Sequence, residues 1–266
     1  LGEAAQFVLV SSLEKAFELG LEIYALAPGI KINADGIKKS ISSPGIGNYI
    51  TMASAVNETK QFSNDLKRSF VIAHGTGTFQ NRSTESHVLS SVANGMGLNE
   101  WEITGLKGSL GHTMGPAAGD ELMTAIGFWK HGFIPGINTT KKLAEDVYKD
   151  SLNFILEDTE KDKESIDAIY LNAKGFGGNN ASAGIISPKI AVDLANQEFS
   201  KAEHLQYEQN KEKVRESSIN YQESCKKGDY GVIYRFNEEV LEGLEDIEIT
   251  EEGIRLKGFK APIKFN

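Results

Sequence analysis

The stretch Ser69-Phe-Val-Ile-Ala-His-Gly-Thr-Gly-Thr78 is a short apolar run that passes directly into a turn rich in glycine and threonine. The run over residues 69–73 predicts a buried strand, and helical spacing over residues 83–96 predicts a helix after the turn. Glycine lets the backbone fold tightly. We therefore expect His74 to stand at the mouth of a cleft.

Two further glycine-rich turns follow apolar runs. The segment Lys107-Gly-Ser-Leu-Gly-His-Thr-Met-Gly115 places a lysine and a histidine five residues apart, before a helix predicted at Ala117–His131. The segment Asn172-Ala-Lys-Gly-Phe-Gly-Gly-Asn-Asn180 lies between two predicted strands, so no helix N-terminus is available there to face a phosphate. Each turn taken alone also fits a structural role, such as a histidine that caps a helix or a lysine at the surface.

Strands that alternate with helices predict a layered α/β fold, in which sites gather beyond the ends of the strands. Ser12 is expected to cap a helix over Leu13–Leu19, and Gly20 is expected to end it. The other predicted segments are strands at residues 4–10, 21–27, 103–107, 166–171 and 181–186, a loop at 31–47 and a helix at 48–66.

The composition argues against several classes of function. The 266 residues carry a net charge of -9, which gives no electrostatic support to nucleic-acid binding. One cysteine, Cys225, permits no internal disulfide, and no Cys/His cluster indicates a metal site. No apolar run reaches the ~18 residues of a membrane-spanning helix, and no signal-peptide pattern opens the chain. We therefore expect a cytoplasmic protein without a metal and without membrane insertion.

The composition changes after Pro188. Residues 189–227 are highly charged, with sparse apolar residues at helical spacing, and predict one long exposed helix or a helix pair. Short strands are predicted at 230–236, 246–250 and 254–259, with a hairpin turn at Glu252-Gly253. We therefore predict two parts: an α/β domain over residues 1–187 and a helical and short β-strand appendage over residues 188–266.

In this order and spacing, the three turns resemble the motifs of the β-ketoacyl–acyl-carrier-protein synthases (ketosynthases) of the thiolase superfamily. That family carries His-Gly-Thr-Gly-Thr, then Lys-Ser-x-x-Gly-His, then Asn-x-Phe-Gly-Phe-Gly-Gly-x-Asn. The opening Gly2-Glu3-Ala4-Ala5 resembles the family's Gly-Glu-Gly-Ala stretch. The resemblance spans residues 1–187 and implies the C-terminal half of a thiolase-like fold, a layered α/β arrangement with a mixed sheet.

The resemblance implies a decarboxylative Claisen condensation of an acyl thioester with malonyl-acyl-carrier-protein, in fatty-acid or polyketide biosynthesis. His74 and His112 match the two histidines whose N–H groups stabilise the enolate of the malonyl thioester, in the manner of an oxyanion hole. Lys107 would maintain the local charge and orientation, and Glu85 would support it.

The same resemblance implies how substrates would bind. Thr76 and Thr78 would line the path of the phosphopantetheine arm, which enters with its acyl carrier protein, so no bound cofactor is expected. Phe176 would gate the acyl pocket, and glycines would let its loop move: Gly175, Gly177 and Gly178. The implied partners are the acyl carrier protein, an N-terminal half of the same parent protein, and a second copy in a full-length homodimer.

The family's nucleophilic cysteine lies in its N-terminal half, and residues 1–187 contain no cysteine. Cys225 lies in a polar stretch of the predicted appendage, where we expect an exposed, unreactive thiol. Since Leu1 opens the chain close to an apolar run, we expect a longer parent protein that supplies the cysteine. We accordingly expect this chain alone to be inactive.

Several positions depart from the family pattern. Arg82 stands at an acidic position, Gly108 replaces the serine after the lysine, and Pro116 begins the alanine pair that follows the second motif. Lys174 replaces the first phenylalanine of the third motif, which leaves open a substrate choice different from ordinary fatty-acid elongation. Two alternative functions also remain: a non-catalytic, chain-length-type partner of an active ketosynthase, and a small-molecule or nucleotide-binding module that uses the glycine-rich loops.

Overall fold

The structure, a computed structural model, describes residues 1–36, 45–231 and 243–265. The helices of this part of the chain are α1 (Leu13–Leu19), α2 (Gly47–Thr59), α3 (Phe79–Met96), α4 (Lys107–Leu110), α5 (Ala117–His131), α6 (Pro188–Glu198) and α7 (Lys201–Lys226). Its strands are β1 (Ile30–Ala34), β2 (Ser69–Ile72), β3 (Trp101–Thr104), β4 (Phe133–Ile134), β5 (Leu152–Phe154), β6 (Thr159–Glu160), β7 (Ala168–Gly175), β8 (Asn179–Ile186), β9 (Ile247–Thr250), β10 (Gly253–Leu256) and β11 (Ile263–Lys264).

The central element is a six-stranded mixed sheet with strand order β1-β8-β7-β2-β3-β5. The four strands β7, β2, β3 and β5 run parallel to one another. Strand β8 pairs antiparallel with β7, and β1 pairs antiparallel with β8. The carboxyl ends of parallel strands lie at the same edge of a sheet. The segments after β2 and β3 and the end of β7 therefore meet at one edge.

Helices cover both faces of this sheet. Successive side chains of strand β2 point to opposite faces of the sheet, and both faces are apolar. Val71 belongs to the buried hydrophobic cluster on one face, and Phe70 and Ile72 belong to the cluster on the other. Helices α2 and α3 pack on the first face, and α5 packs on the second. Burying each such side chain contributes about 1.5–3 kcal/mol. The chain therefore has the layered α/β fold with a mixed sheet that its sequence predicts.

Several helix ends agree with those predicted from capping residues and helical spacing in the sequence. Helix α1 spans the predicted residues, with the Ser12 hydroxyl accepting a hydrogen bond from the Lys15 N–H at 3.2 Å and Gly20 ending the helix at φ +70°. Helix α5 also has its predicted bounds. Helix α3 begins at Phe79, before the predicted start at residue 83, because Thr78 caps it and its side chain accepts from the Asn81 N–H.

Three predictions near the N-terminus were wrong. Residues 4–10 form no strand, and the apolar side chains there are exposed: Phe7 is 98% exposed and Val10 81%. Residues 21–27 make only one bridge, between Leu26 and Ile186. The predicted loop at 31–47 contains β1, an edge strand that pairs with β8; residues 37–44 of that loop lie outside the described residues.

The third glycine-rich turn is the tip of a β-hairpin. Strand β7 continues past the predicted end at residue 171 to Gly175, and β8 returns antiparallel from Asn179. Gly177 and Gly178 both have φ +79°, a conformation that side chains with a Cβ rarely adopt. A strand follows this turn, as predicted, so the turn offers no helix N-terminus to a phosphate.

The chain divides into two compact units, Leu1–Glu212 and Lys213–Asn266. In the first, the start of α7 is tied to α1, since the ring of Phe17 stacks between Tyr207 and Phe199. The helix pair predicted over residues 189–227 is confirmed as α6 and α7. The boundary between residues 187 and 188 stays a prediction.

The second unit contains a three-stranded antiparallel sheet, β9-β10-β11. Thr250 pairs with Gly253, so the hairpin turn is Glu251-Glu252, one residue before the predicted turn. Residues 232–236 of the strand predicted at 230–236 lie outside the described residues. Among the helices that the structure describes in either unit, none has both the length and the apolar character that a membrane crossing requires.

Candidate active site

The edge of the sheet where β2 and β3 end brings His74 and His112 together. His74 follows β2 directly, and His112 follows β3 through the short helix α4. The two imidazole rings lie 5.4 Å apart between centroids and are nearly perpendicular, at 83°. His74 is buried and His112 half-buried. The structure therefore places the two motif histidines in one site, as their position after parallel strands predicts.

The buried carboxylate of Glu85 holds the turn that carries His74. Its Oε1 accepts hydrogen bonds from the His74 backbone N–H at 2.8 Å and from the Asn172 amide at 2.7 Å. Its Oε2 accepts from the Gly75 backbone N–H at 2.9 Å and from the Asn81 amide at 2.9 Å. Four donors converge on one side chain that is 4% exposed. Glu85 thus fixes the backbone of the His-Gly-Thr-Gly-Thr turn from behind.

Burial on its own would raise the pKa of Glu85, but nearby charges and hydrogen bonds reverse the direction. The charge of His74 when it is protonated, the charge of Lys174 and the hydrogen bonds from Gly75 and Asn81 together lower the pKa of Glu85 below its ordinary value. The carboxylate is therefore ionised at neutral pH, although it lies in the protein interior.

Backbone donors determine which nitrogen of each imidazole carries the proton. The Nδ1 atom of His74 accepts the backbone N–H of Lys174 at 3.4 Å, and Nδ1 of His112 accepts the backbone N–H of Met114 at 3.1 Å. A neutral imidazole that accepts at Nδ1 carries its proton on Nε2. Both histidines are therefore set to donate from Nε2.

Both imidazoles are also held neutral. Burial lowers the pKa of His74 to about 4; Glu85 opposes this shift, while Lys107, His112 and Lys174 add to it. Burial and the charge of Lys107 also lower the pKa of His112. At pH 7 the site thus offers two neutral N–H donors rather than imidazolium cations.

Lys107 is anchored by Glu121, a residue that the sequence analysis missed. The Lys107 ammonium donates to Glu121 Oε1 at 3.1 Å, and the two side chains are 9% and 1% exposed. Burial raises the pKa of Glu121 to about 8 against the opposing charge of Lys107. Among the described residues Glu121 Oε2 has no hydrogen-bond partner. A signal was present, because Glu121 lies on the buried face of α5 between Ala117 and Ala125.

The loop that carries His112 is held by close backbone packing. Gly111 has φ +76°, and a Cβ there would lie 2.8 Å from the Leu1 carbonyl oxygen. The Gly2 N–H donates to the His112 carbonyl at 3.0 Å. Met114 has φ +67°, which is unusual for a residue with a side chain. Leu1 and Gly2, at the start of the N-terminal segment, therefore support the second histidine loop.

The remaining predicted binding residues lie around the same turns. Thr78 caps α3, and its side chain accepts a hydrogen bond there; Thr76 is half-buried, and its carbonyl accepts from the Asn81 amide. Phe176 is 74% exposed in the hairpin turn between Gly175 and Gly177. The roles assigned to these residues by resemblance stay predictions.

The remaining cysteine and histidines have other surroundings within their own units. Cys225, which was predicted to be exposed, is half-buried near the end of α7, in the second unit. Nδ1 of His87 contacts the Tyr49 hydroxyl, and His131 is exposed at the end of α5. Within residues 1–36, 45–231 and 243–265, no group of three or more His, Cys, Asp or Glu side chains could hold a metal ion.

Comparison with known proteins finds similarity to β-ketoacyl synthases. Residues 24–141 match the model of the β-ketoacyl synthase C-terminal domain. The β-ketoacyl-[acyl-carrier-protein] synthase FabY of Pseudomonas aeruginosa is 38% identical over 268 residues, which cover 100% of this chain and 42% of FabY. The highly reducing polyketide synthase easB of Emericella nidulans is 26% identical over 216 residues, covering 80% of this chain and 8% of that protein.

Solved structures agree with these matches. The crystal structure of the noncanonical ketosynthase FabY from P. aeruginosa superimposes with a TM-score of 0.82 at 37% identity, covering 96% of this chain and 40% of that one. The ketosynthase from module 1 of the bacillaene synthase of Bacillus amyloliquefaciens gives a TM-score of 0.53 at 26% identity, covering 62% of this chain and 30% of that one. The chain spans less than half the length of the curated relatives it matches. In its motifs and its fold, the chain is similar to the C-terminal, thiolase-like part of the β-ketoacyl synthases.

Proposed function

We propose that this chain supplies the two-histidine part of a β-ketoacyl synthase active site, which condenses an acyl thioester with malonyl-acyl-carrier-protein. The observation that carries the proposal is that His74 and His112 each accept a backbone N–H at Nδ1 while their rings lie 5.4 Å apart. We infer from this that the two Nε2–H groups act as donors to one oxygen atom.

The chemistry needs donors of this kind. When the malonyl thioester loses carbon dioxide, negative charge develops on the thioester oxygen. Fixed N–H groups aimed at that oxygen stabilise the enolate without having to reorganise during the reaction. The enolate carbon then attacks the acyl carbonyl and displaces the thiolate of the acyl-bearing cysteine. Neutral imidazoles suit this role, because each keeps one nitrogen as a donor while the other is held by the backbone.

The proposal assigns the acyl-bearing nucleophile to a cysteine in an N-terminal half of a longer protein. A nucleophile must be positioned against its partners, and residues 1–187 hold no cysteine. The chain itself would need neither a metal nor a resident cofactor, since the phosphopantetheine arm arrives with the acyl carrier protein. Thr76 and Thr78 would line that arm, and Phe176 would separate the acyl pocket from the malonyl site. The full-length protein would act as a homodimer.

Two measurements test the proposal. The purified chain, given acyl- and malonyl-carrier substrates, should form no ketoacyl product; clear turnover would refute the assignment of the nucleophile. In the longer protein, His74→Ala or His112→Ala should slow malonyl decarboxylation about 10²–10³-fold, the usual loss for one oxyanion donor, while acylation of the cysteine continues. His131→Ala is the matched control, because His131 is exposed at the end of α5. Decarboxylation that is equally fast in all three variants would exclude the proposed role of the two histidines.

A further inference from the structure

A second buried lysine lies at the site and has no part in the proposed condensation. Lys174 is only 8% exposed, although long charged side chains are rarely buried without compensation. It lies on β7 two residues after Asn172, and side chains two apart on a strand share a face. Asn172 donates to Glu85 on that face at 2.7 Å. Lys174 therefore points toward the side of the sheet that holds Glu85.

A cation at this position stabilises the buried carboxylate of Glu85. Glu85 is fully surrounded, and its four donors belong to backbone and amide groups, which carry no net charge. An ionised carboxylate in the interior is costly unless it is paired with an opposite charge. The charge of Lys174 lies close enough to lower the pKa of Glu85.

The charges of Glu85 and Lys174 both act on His74. Glu85 favours the protonated imidazolium, whereas Lys107, His112 and Lys174 disfavour it. These four titratable groups act on His74 from α3, from α4, from the loop after α4 and from β7. Lys174 also donates its backbone N–H to Nδ1 of His74, so one residue acts on the imidazole through a hydrogen bond and through its charge.

We propose that Lys174 is the counter-charge of the buried Glu85 carboxylate and a positioning residue for His74, whose proton its backbone N–H directs to Nε2 and whose further protonation its charge opposes. Without this cation, the carboxylate that anchors the His74 turn would favour a second proton on the same imidazole more strongly. The neutral form of His74 would then give way to the cation at a higher pH than in the parent chain. The proposal concerns the protonation state of His74, and it holds or fails independently of the condensation activity.

The test is a pH titration of the histidine Cε1–H signals in the intact chain by NMR. The chain has five histidines, and His74→Gln identifies the signal of His74. Lys174→Met should raise the pKa of His74 by about one unit or more, the usual effect of a nearby charge. Lys174→Arg, which retains the charge, should leave it within about half a unit. Lys174→Met combined with Glu85→Gln should return it to the parental value or below, because both opposing charges are gone.

Three results would overturn the proposal. One is an unchanged titration of His74 in Lys174→Met, and another is an equal shift in Lys174→Met and Lys174→Arg, which would indicate packing rather than charge. If Lys174→Met does not fold, the double variant decides: by removing both charges it should fold and titrate like the parent. A double variant that also fails to fold, while Lys174→Arg and Glu85→Gln alone both fold, would show that Lys174 acts through its shape and hydrogen bonds.

Discussion

Replacing Glu85 with alanine tests the structural basis of the site most directly. The substitution removes the acceptor of four buried donors, two from the backbone of His74 and Gly75 and two from the amides of Asn81 and Asn172. A buried donor left without an acceptor costs about 1–3 kcal/mol, so four would cost roughly 4–12 kcal/mol if none found a new partner. Water entering the vacated space will satisfy some of them, so we expect a loss of about 4 kcal/mol in the free energy of unfolding.

The assay is urea unfolding followed by tryptophan fluorescence. Trp101 and Trp129 are both buried and lie in the clusters on opposite faces of the sheet, so the signal reports on the whole α/β layer. Glu85→Gln keeps the shape and one carbonyl acceptor, and it should lose about half as much stability. Glu145→Ala, at an exposed glutamate, is the control and should change stability by less than about 0.5 kcal/mol. A loss below about 1 kcal/mol in Glu85→Ala would refute the view that this carboxylate anchors the His74 turn.

Two further predictions concern the histidine loops. Gly111→Ala should lower stability by at least about 1 kcal/mol and shift the NMR signal of His112, because φ is +76° and the new Cβ would lie 2.8 Å from the Leu1 carbonyl oxygen; parental stability would contradict this account of the loop. The pKa of His74 falls from 6.5 to about 4 on folding, so its contribution to stability is fully present above pH 6.5 and is lost as the pH falls toward 4. The loss in the free energy of unfolding is about 3 kcal/mol. The His74→Gln variant lacks this titration, so between pH 6.5 and pH 4 it should lose about 3 kcal/mol less than the parent chain. Urea unfolding at each pH measures the difference, and an equal loss in both proteins would contradict the prediction.

The convergence of the two histidines could be predicted from the sequence because it depends on topology. A residue that directly follows a buried parallel strand lies at the carboxyl edge of the sheet, and the apolar run over residues 69–73 and the one before Lys107 both have that form. Pairing of β2 with β3 in parallel then brings His74 and His112 to the same edge. The tautomers could not be predicted, since they depend on which backbone N–H reaches each Nδ1 atom.

The N-terminal segment shows where sequence patterns mislead. Residues 4–10 are as apolar as a core strand, yet Phe7 and Leu9 are 98% and 79% exposed. Hydrophobicity predicts that a segment will be buried, but it does not identify what buries it. By contrast, β1 was predicted as a loop because glycine, serine and proline are frequent in residues 31–47, although its own residues Ile30 and Ile32 favour a strand. Among the strands that the structure describes, β1 is hydrogen-bonded only to β8, and its isoleucines remain exposed.

The arrangement around His74 follows from one structural requirement. The His-Gly-Thr-Gly-Thr turn leaves two backbone N–H groups in the interior, and Glu85 satisfies both. An ionised carboxylate this close also favours a proton on the imidazole of the same turn. A neutral imidazole donor next to a buried carboxylate therefore requires additional positive charge or strong burial. His74 has both, with Lys107 on one side and Lys174 on the other. Lys107 lowers the pKa of His74 more than Lys174 does. Lys174 adds a second positive charge from β7, on the strand whose backbone N–H also fixes the tautomer of the imidazole.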